Sequence, residues 1–164
     1  MEQFIRYTGF FKTLKRNKED KKFCIEFMKN ECNIDILPTK MWSAELGEKL
    51  VKFLLEKNGV EVFKARKINH FKPDFECKDF VYEVKTRNYT VGGTAGEKIL
   101  GVPFKYRNIP ILYKKPLKII LVGYQEQEGI EKFKLFNPDE RGRKMLDFWE
   151  EMGITFHKCS ELLL

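Results

Sequence analysis

Asp74, Glu83 and Lys85 are the side chains of this sequence whose types and spacing could do chemistry together. Lys72-Pro73-Asp74 opens a strand-like stretch, DFEC (74–77), and Glu83-Val84-Lys85 lies inside the next one, FVYEVKTR (80–87), the two joined at Lys78-Asp79. A hairpin of this kind brings Asp74 close enough to Glu83 to share a ligand. Side chains alternate along a strand, so Val81, Glu83, Lys85 and Arg87 share one face while Tyr82, Val84 and Thr86 take the other. Three charges on one face of an inner strand could be an exposed cross-strand ion-pair row. A metal site built on two carboxylates accounts for them better. Hard divalent cations are commonly held by one or two carboxylates, with water and substrate phosphate completing the shell. Such a cation lowers the pKa of a bound water and polarises a phosphate. A neighbouring lysine can stabilise the developing charge or take a share in proton transfer. These parts fit the hydrolysis of a phosphodiester.

The elements that must position these residues can be read along the chain. A helix is expected from Ser43, an N-cap residue, to Asn58-Gly59, a C-cap pair. VEVFKARKI (60–68) alternates as a first strand, ahead of the two strands already named. A Gly- and Pro-rich crossover follows from Val91 to Pro116, with short helical pieces around 96–100 and 104–108. Leu117 to Gly123 is an almost unbroken apolar run, as expected of a strand buried on both faces. A helix near 140–152, ended by Gly153, and a last strand near 154–158 complete the order. That order predicts a mixed central sheet flanked by helices, an α/β sandwich, in one domain over residues 1–164. Within it, residues 1–40 form a helical extension, 42–123 the core, and 124–164 a terminal helix and strand.

Composition narrows the partners. Lys and Arg number 31 against 24 Asp and Glu, a formal charge of +7, which suits a polyanion such as nucleic acid or an anionic membrane surface. The crossover is the densest in positive charge: between residues 91 and 118 six Lys and Arg face a single acid, Glu97. No apolar run approaches the ~18 residues of a membrane span, and the N-terminal stretch has no secretory pattern. An intracellular protein, cytoplasmic or nuclear, with no membrane partner is expected. Cys24, Cys32, Cys77 and Cys159 stand singly, with only His70 and His157 beside them, so no zinc site of familiar spacing assembles. They read as small core or surface residues of a reducing compartment.

The stretch Lys72-Pro73-Asp74-Phe75, seven further residues, then Glu83-Val84-Lys85 resembles the PD-(D/E)XK nuclease superfamily, which includes restriction endonucleases, archaeal-type Holliday-junction resolvases and repair nucleases. The likeness covers residues 42–123 and extends to the helix–three-strand–helix–strand order. It implies a restriction-endonuclease-like sandwich and a metal-dependent DNA endonuclease using Mg²⁺, with Mn²⁺ as a substitute. By the same resemblance Asp74 and Glu83 are metal ligands, with the Val84 carbonyl a third candidate, and Lys85 is the catalytic lysine.

Many members add a glutamate from the first helix, for which Glu45 and Glu48 are candidates. At about 100° per residue from Leu46, Glu48 falls at about 200°, against the edge of the apolar arc, and Glu45 at about 260° on the polar face. The margin of the buried face is where a carboxylate reaches the sheet, which favours Glu48, and the resemblance implies that it holds the metal or a water from the helix. Gly92 to Leu100 is similar to a G-T-x-G-E-K-I-L-G-like stretch of restriction-type relatives. It makes Lys98, Lys105, Tyr106 and Arg107, with Arg87, the DNA-contacting candidates, cations fixing the backbone and an aromatic stacking on a base. Duplex and branched DNA both stay open as substrates, and two coordinated cuts call for a homodimer. The small size leaves room for a protein partner that directs specificity. The alternative is a catalytically silent nucleic-acid-binding module, or a partner-dependent subunit, of the same fold.

Overall fold

A computed structural model of the chain describes residues 26, 28–30, 32–35, 44–87 and 93–163. Its elements run in the order α1 (Ala44–Lys57), β1 (Phe63–Lys64), β2 (Phe75–Glu76), β3 (Val81–Arg87), a 3₁₀ helix (Gly93–Gly101), α2 (Val102–Lys105), α3 (Ile109–Tyr113), β4 (Leu117–Gly123), α4 (Tyr124–Glu131), α5 (Glu140–Glu151), β5 (Ile154–Lys158) and a closing 3₁₀ helix (Cys159–Leu163). Apolar residues of α1 recur at three- and four-residue intervals, so Leu46, Leu50, Val51, Leu54 and Leu55 bury one face.

The five strands form one mixed sheet in the order β1-β2-β3-β4-β5. β1, β2 and β3 are an antiparallel meander, while β3, β4 and β5 run parallel. Two apolar layers sandwich this sheet. On one side α1 packs on Tyr82, Val84, Ile120 and Val122. On the other, Ile99, Val102, Tyr106, Ile109 and Tyr113 of the crossover cover Val81, Leu117, Ile119 and Leu121. β4 is the keel: Leu117, Ile119, Ile120, Leu121 and Val122 are each at most 1% exposed. Burying one such side chain contributes about 1.5–3 kcal/mol. The α/β class with a mixed central sheet agrees with the expectation from sequence.

Three local readings differ. The strand expected over 60–68 forms a regular ladder with β2 at Phe63–Lys64 alone, both exposed, with one further bond from the Ala65 N–H to the Asp74 carbonyl at 3.4 Å and an isolated bridge between Ile68 and Phe71. It is the sheet edge, and its run of Lys64, Arg66 and Lys67 is the charge pattern that blunts further pairing. The crossover helices start earlier and break differently from the pieces expected around 96–100 and 104–108, because Pro103 and Pro110 each begin a new turn. α4 was not expected, since YQEQEGIE has almost no apolar periodicity. It packs on the sheet through Gln125, Glu128 and Gly129, and at Gly129 a Cβ would come within 2.7 Å of Leu121 Cδ1.

Residues 26, 28–30 and 32 are helical, as expected there, whereas 33–35, also inside the expected helical extension, are not, Asn33 having φ +52°; the remaining residues of that extension, with Cys24, Trp42 and Ser43, lie outside the described residues. Cys32, Cys77 and Cys159 are buried free thiols. Among the described residues no helix is long and apolar enough to cross a membrane.

Candidate active site

The β2–β3 register, Phe75 against Tyr82 and Glu76 against Val81, sets Asp74 opposite Glu83 when extended by one residue. The Asp74 N–H donates to the Tyr82 carbonyl at 3.1 Å, so the ladder carries on to the aspartate. Its side chain then turns back along β3, where Oδ2 accepts the Val84 N–H at 2.7 Å. Glu83 is 3% exposed, on the face of β3 that the crossover covers. Lys85, two residues on and thus on the same face, pairs its ammonium with Glu83 Oε1. The strand and its hairpin partner therefore gather all three predicted residues.

The electrostatics follow from that crowding. The Asp74 carboxyl is pushed up to about 6, first by burial and then by the negative charge of Glu83. The Val84 N–H bond opposes the rise, the Glu48 charge adds to it, and Lys85 relieves it slightly. Glu83 Oε2 is buried and has no hydrogen-bond partner among the described residues. Leaving a buried charged oxygen unpaired costs about 1–3 kcal/mol or more. A cation would satisfy it.

Glu48 reaches the same region from the other side of the sheet. At Gly47 a Cβ would stand 1.7 Å from Thr86 Oγ1, so α1 lies on β3 at a distance only glycine permits. The next residue, Glu48, consequently hangs at the rim of the sheet and pairs with Lys64 of β1 at 2.8 Å. Glu45 points along the outer surface and pairs with Lys49 at 3.3 Å. Of the two glutamates, Glu48 is the one whose charge acts on Asp74.

Among the described residues no three His, Cys, Asp or Glu side chains converge as a complete metal cage. The donors brought together are the two carboxylates of Asp74 and Glu83, with the Val84 peptide between the strands. Mg²⁺ commonly takes one or two carboxylates and keeps water or phosphate in its other positions, so this set suits it.

The expected DNA contacts divide. Lys98 is exposed on the first 3₁₀ helix. Arg107 is exposed, its guanidinium over the Phe104 ring with Nη1 donating to the Phe104 carbonyl at 2.9 Å. Arg87 ends β3, and its side chain lies outside the described residues. Tyr106 offers no ring to a base: it is 5% exposed, buried over β3. Burial, and then the neighbouring Glu83 carboxylate, holds its phenol well above the ordinary value. Lys105 donates to that hydroxyl at 3.1 Å, so it too faces inward at its tip. Tyr106 is thus a neighbour of the carboxylates. The signal was available in the apolar spacing of Ile99, Val102, Tyr106, Ile109 and Tyr113, which marks one buried stripe.

Gly93 and Gly96 sit within the 3₁₀ helix, and the Gly96 carbonyl accepts from Gln125 at 3.3 Å. His70 is exposed on a turn, its ring against Phe71. No family model, no curated protein and no solved structure matches the chain.

Proposed function

We propose that the chain is a divalent-metal-dependent DNA endonuclease of the PD-(D/E)XK superfamily, with a restriction-endonuclease-like fold and Mg²⁺, or Mn²⁺ in its place, as cofactor. The observation that carries this reading is the half-buried Asp74 set opposite the buried Glu83, with Lys85 on the same strand face and no hydrogen-bond partner for Glu83 Oε2 among the described residues. The meander of β1, β2 and β3, the helical crossover to β4 and the helix α1 behind Glu48 support it. When bound, the cation supplies a polarised phosphate and a water of lowered pKa.

The chain's own residues have separable parts in this reading. Asp74 and Glu83 hold the cation, and the Val84 N–H keeps the Asp74 carboxylate aimed between the strands. Lys85 neutralises Glu83 in the resting protein. Turned toward a phosphate, the same ammonium stabilises charge as it develops and orients the attacking water. Glu48, at the rim, positions water from the α1 side. Tyr106 packs over β3 with its phenol beside the Glu83 carboxylate. Lys98 and Arg107 bind phosphate backbone, and duplex and branched DNA are the candidate substrates.

The test is cleavage of plasmid, linear duplex, single-stranded DNA and a four-way junction, each with Mg²⁺, Mn²⁺ or EDTA, beside Lys85→Ala. Discrete metal-dependent products that the variant does not make are expected, and the preferred DNA identifies the substrate. Retention on DNA with no cleavage of any substrate would replace the enzyme by a binding module or a partner-dependent subunit.

A further inference from the structure

α5 is a full helix that buries nothing completely. Asp139 caps it, accepting the Gly142 N–H at 2.7 Å, yet none of its residues is buried. At about 100° per residue, with Met145 at zero, the half-buried Trp149, Gly142 and Leu146 fall between about 40° and 100°, on the side that rests on β5. A second stripe remains in the open. It holds Met145, 65% exposed, Phe148, 53% exposed, and Arg141 and Glu151 at its two ends. Large apolar side chains grouped on a polar helix mark an interaction surface.

Charge identifies the occupant. After Glu140 the first half of α5 carries Arg141, Arg143 and Lys144, and the second half Asp147, Glu150 and Glu151. That polarity opposes the helix dipole, which favours acids at the start and cations at the end by about 0.3–1 kcal/mol each. Within one molecule Asp139 and Glu140 suit the helix start and Lys144 pairs with Glu140 at 2.8 Å, while Glu150 and Glu151 at the other end have the unfavourable sign. Against a second copy turned end for end the arrangement is complementary: Arg141 meets Glu151, Met145 meets Phe148, and each contact occurs twice, as a two-fold interface requires. The acidic half excludes a phosphate backbone as the ligand of this stripe.

We propose that α5 is a homodimerisation surface on which two copies pack antiparallel about a two-fold axis between Met145 and Phe148. The helix is about 18 Å long and alone falls short of the roughly 800 Å² per partner of a standard interface. Pro110 of α3 lies near Gly153 just beyond α5, and its neighbour Ile111 is 75% exposed. A dimer that dissociates on dilution is therefore expected. The inference stands without the nuclease reading.

Light scattering and sedimentation of the full chain, from low to high micromolar concentration, test it. The mass should rise with concentration from 19.6 kDa toward twice that value. Phe148→Lys and Arg141→Glu should each weaken association about tenfold or more, and Arg141→Glu with Glu151→Arg should restore it. That restoration separates a broken interface from a misfolded chain. A wild-type monomer at every concentration, a dimer indifferent to both single variants, or a double reversal no better than the singles would overturn the proposal.

Discussion

The Val84 N–H reaches out of the strand ladder to Asp74 Oδ2 at 2.7 Å, so the aspartate is oriented by the very strand that carries Glu83 and Lys85. Orientation is obtained while the carboxylate sits beside Glu83 in a buried place, and its pKa near 6 records the conflict. The sign follows from linkage. A carboxyl with a raised folded pKa binds its proton more tightly when folded, so stability falls as pH rises from about 4 to about 6, and above that the charge remains a cost. Asp74→Asn keeps an acceptor for Val84 and removes the charge. It should raise the melting temperature of the metal-free protein at pH 7.5 by several degrees, on the order of 1–2 kcal/mol, and abolish cleavage. The gain should vanish at pH 4, which calorimetry in EDTA across that range would check.

Proton and metal compete for the same oxygens. Mg²⁺ or Mn²⁺ should raise the melting temperature of the wild type through mass action and do nothing for Asp74→Asn combined with Glu83→Gln. Since Asp74 titrates near 6, apparent metal affinity should fall about tenfold between pH 7 and pH 5. Titration calorimetry at the two pH values measures this directly, and equal affinities would remove Asp74 from the ligand set.

Lys85 is the ammonium beside a carboxylate that is otherwise sealed in. Lys85→Ala should cost about 1–3 kcal/mol of metal-free stability, because the buried Glu83 carboxyl loses its ammonium partner. Added Mg²⁺ should recover most of that loss while cleavage stays absent. Parallel melts and single-turnover cleavage, with and without metal, separate the two effects.

At Gly47 two magnitudes oppose each other. Alanine in a helix interior gains about 1 kcal/mol over glycine, but here its Cβ would lie 1.7 Å from Thr86 Oγ1. Overpacking of this kind costs typically 1–3 kcal/mol and prevails. Gly47→Ala should lower stability, and Thr86→Ala should rescue part of it, a coupling that denaturant melts of the double-mutant cycle would resolve.

Tyr106→Phe keeps the ring in its layer and deletes the hydroxyl between Lys105 and Glu83. As a positioning residue it should lower the cleavage rate about tenfold while DNA affinity is unchanged and stability drops by no more than about 1.5 kcal/mol. An unaltered rate with unaltered metal dependence would make the phenol purely a core group.

Much of this was legible in the residues. Period-four apolar positions located α1, the unbroken apolar run located β4, and alternation in FVYEVKTR placed Glu83 and Lys85 together before any coordinates. Less legible were features that depend on what lies opposite in space. The charged stretch 60–68 alternates like a strand, but among the described residues no strand pairs with its outer side, and its regular ladder with β2 is limited to Phe63–Lys64. α4 has weak periodicity because the residues it buries are Gln125, Glu128 and Gly129, not an apolar stripe. Tyr106 drew attention as a neighbour of lysines, although its spacing from Ile99 and Val102 assigned it to the interior.

β4 is hydrogen-bonded on both edges and covered on both faces, whereas β1 is two exposed residues at the rim. Amide hydrogens of β3 and β4 should therefore exchange only when the whole domain opens, while those around Lys64 exchange through local fraying. The two sides of the site then live on different clocks. Glu83 and Lys85 should hold their places for as long as the fold lasts, and Glu48 should lose its Lys64 partner whenever the edge frays. Substrate could reach the carboxylates from that side without any disturbance of the strands that bear them.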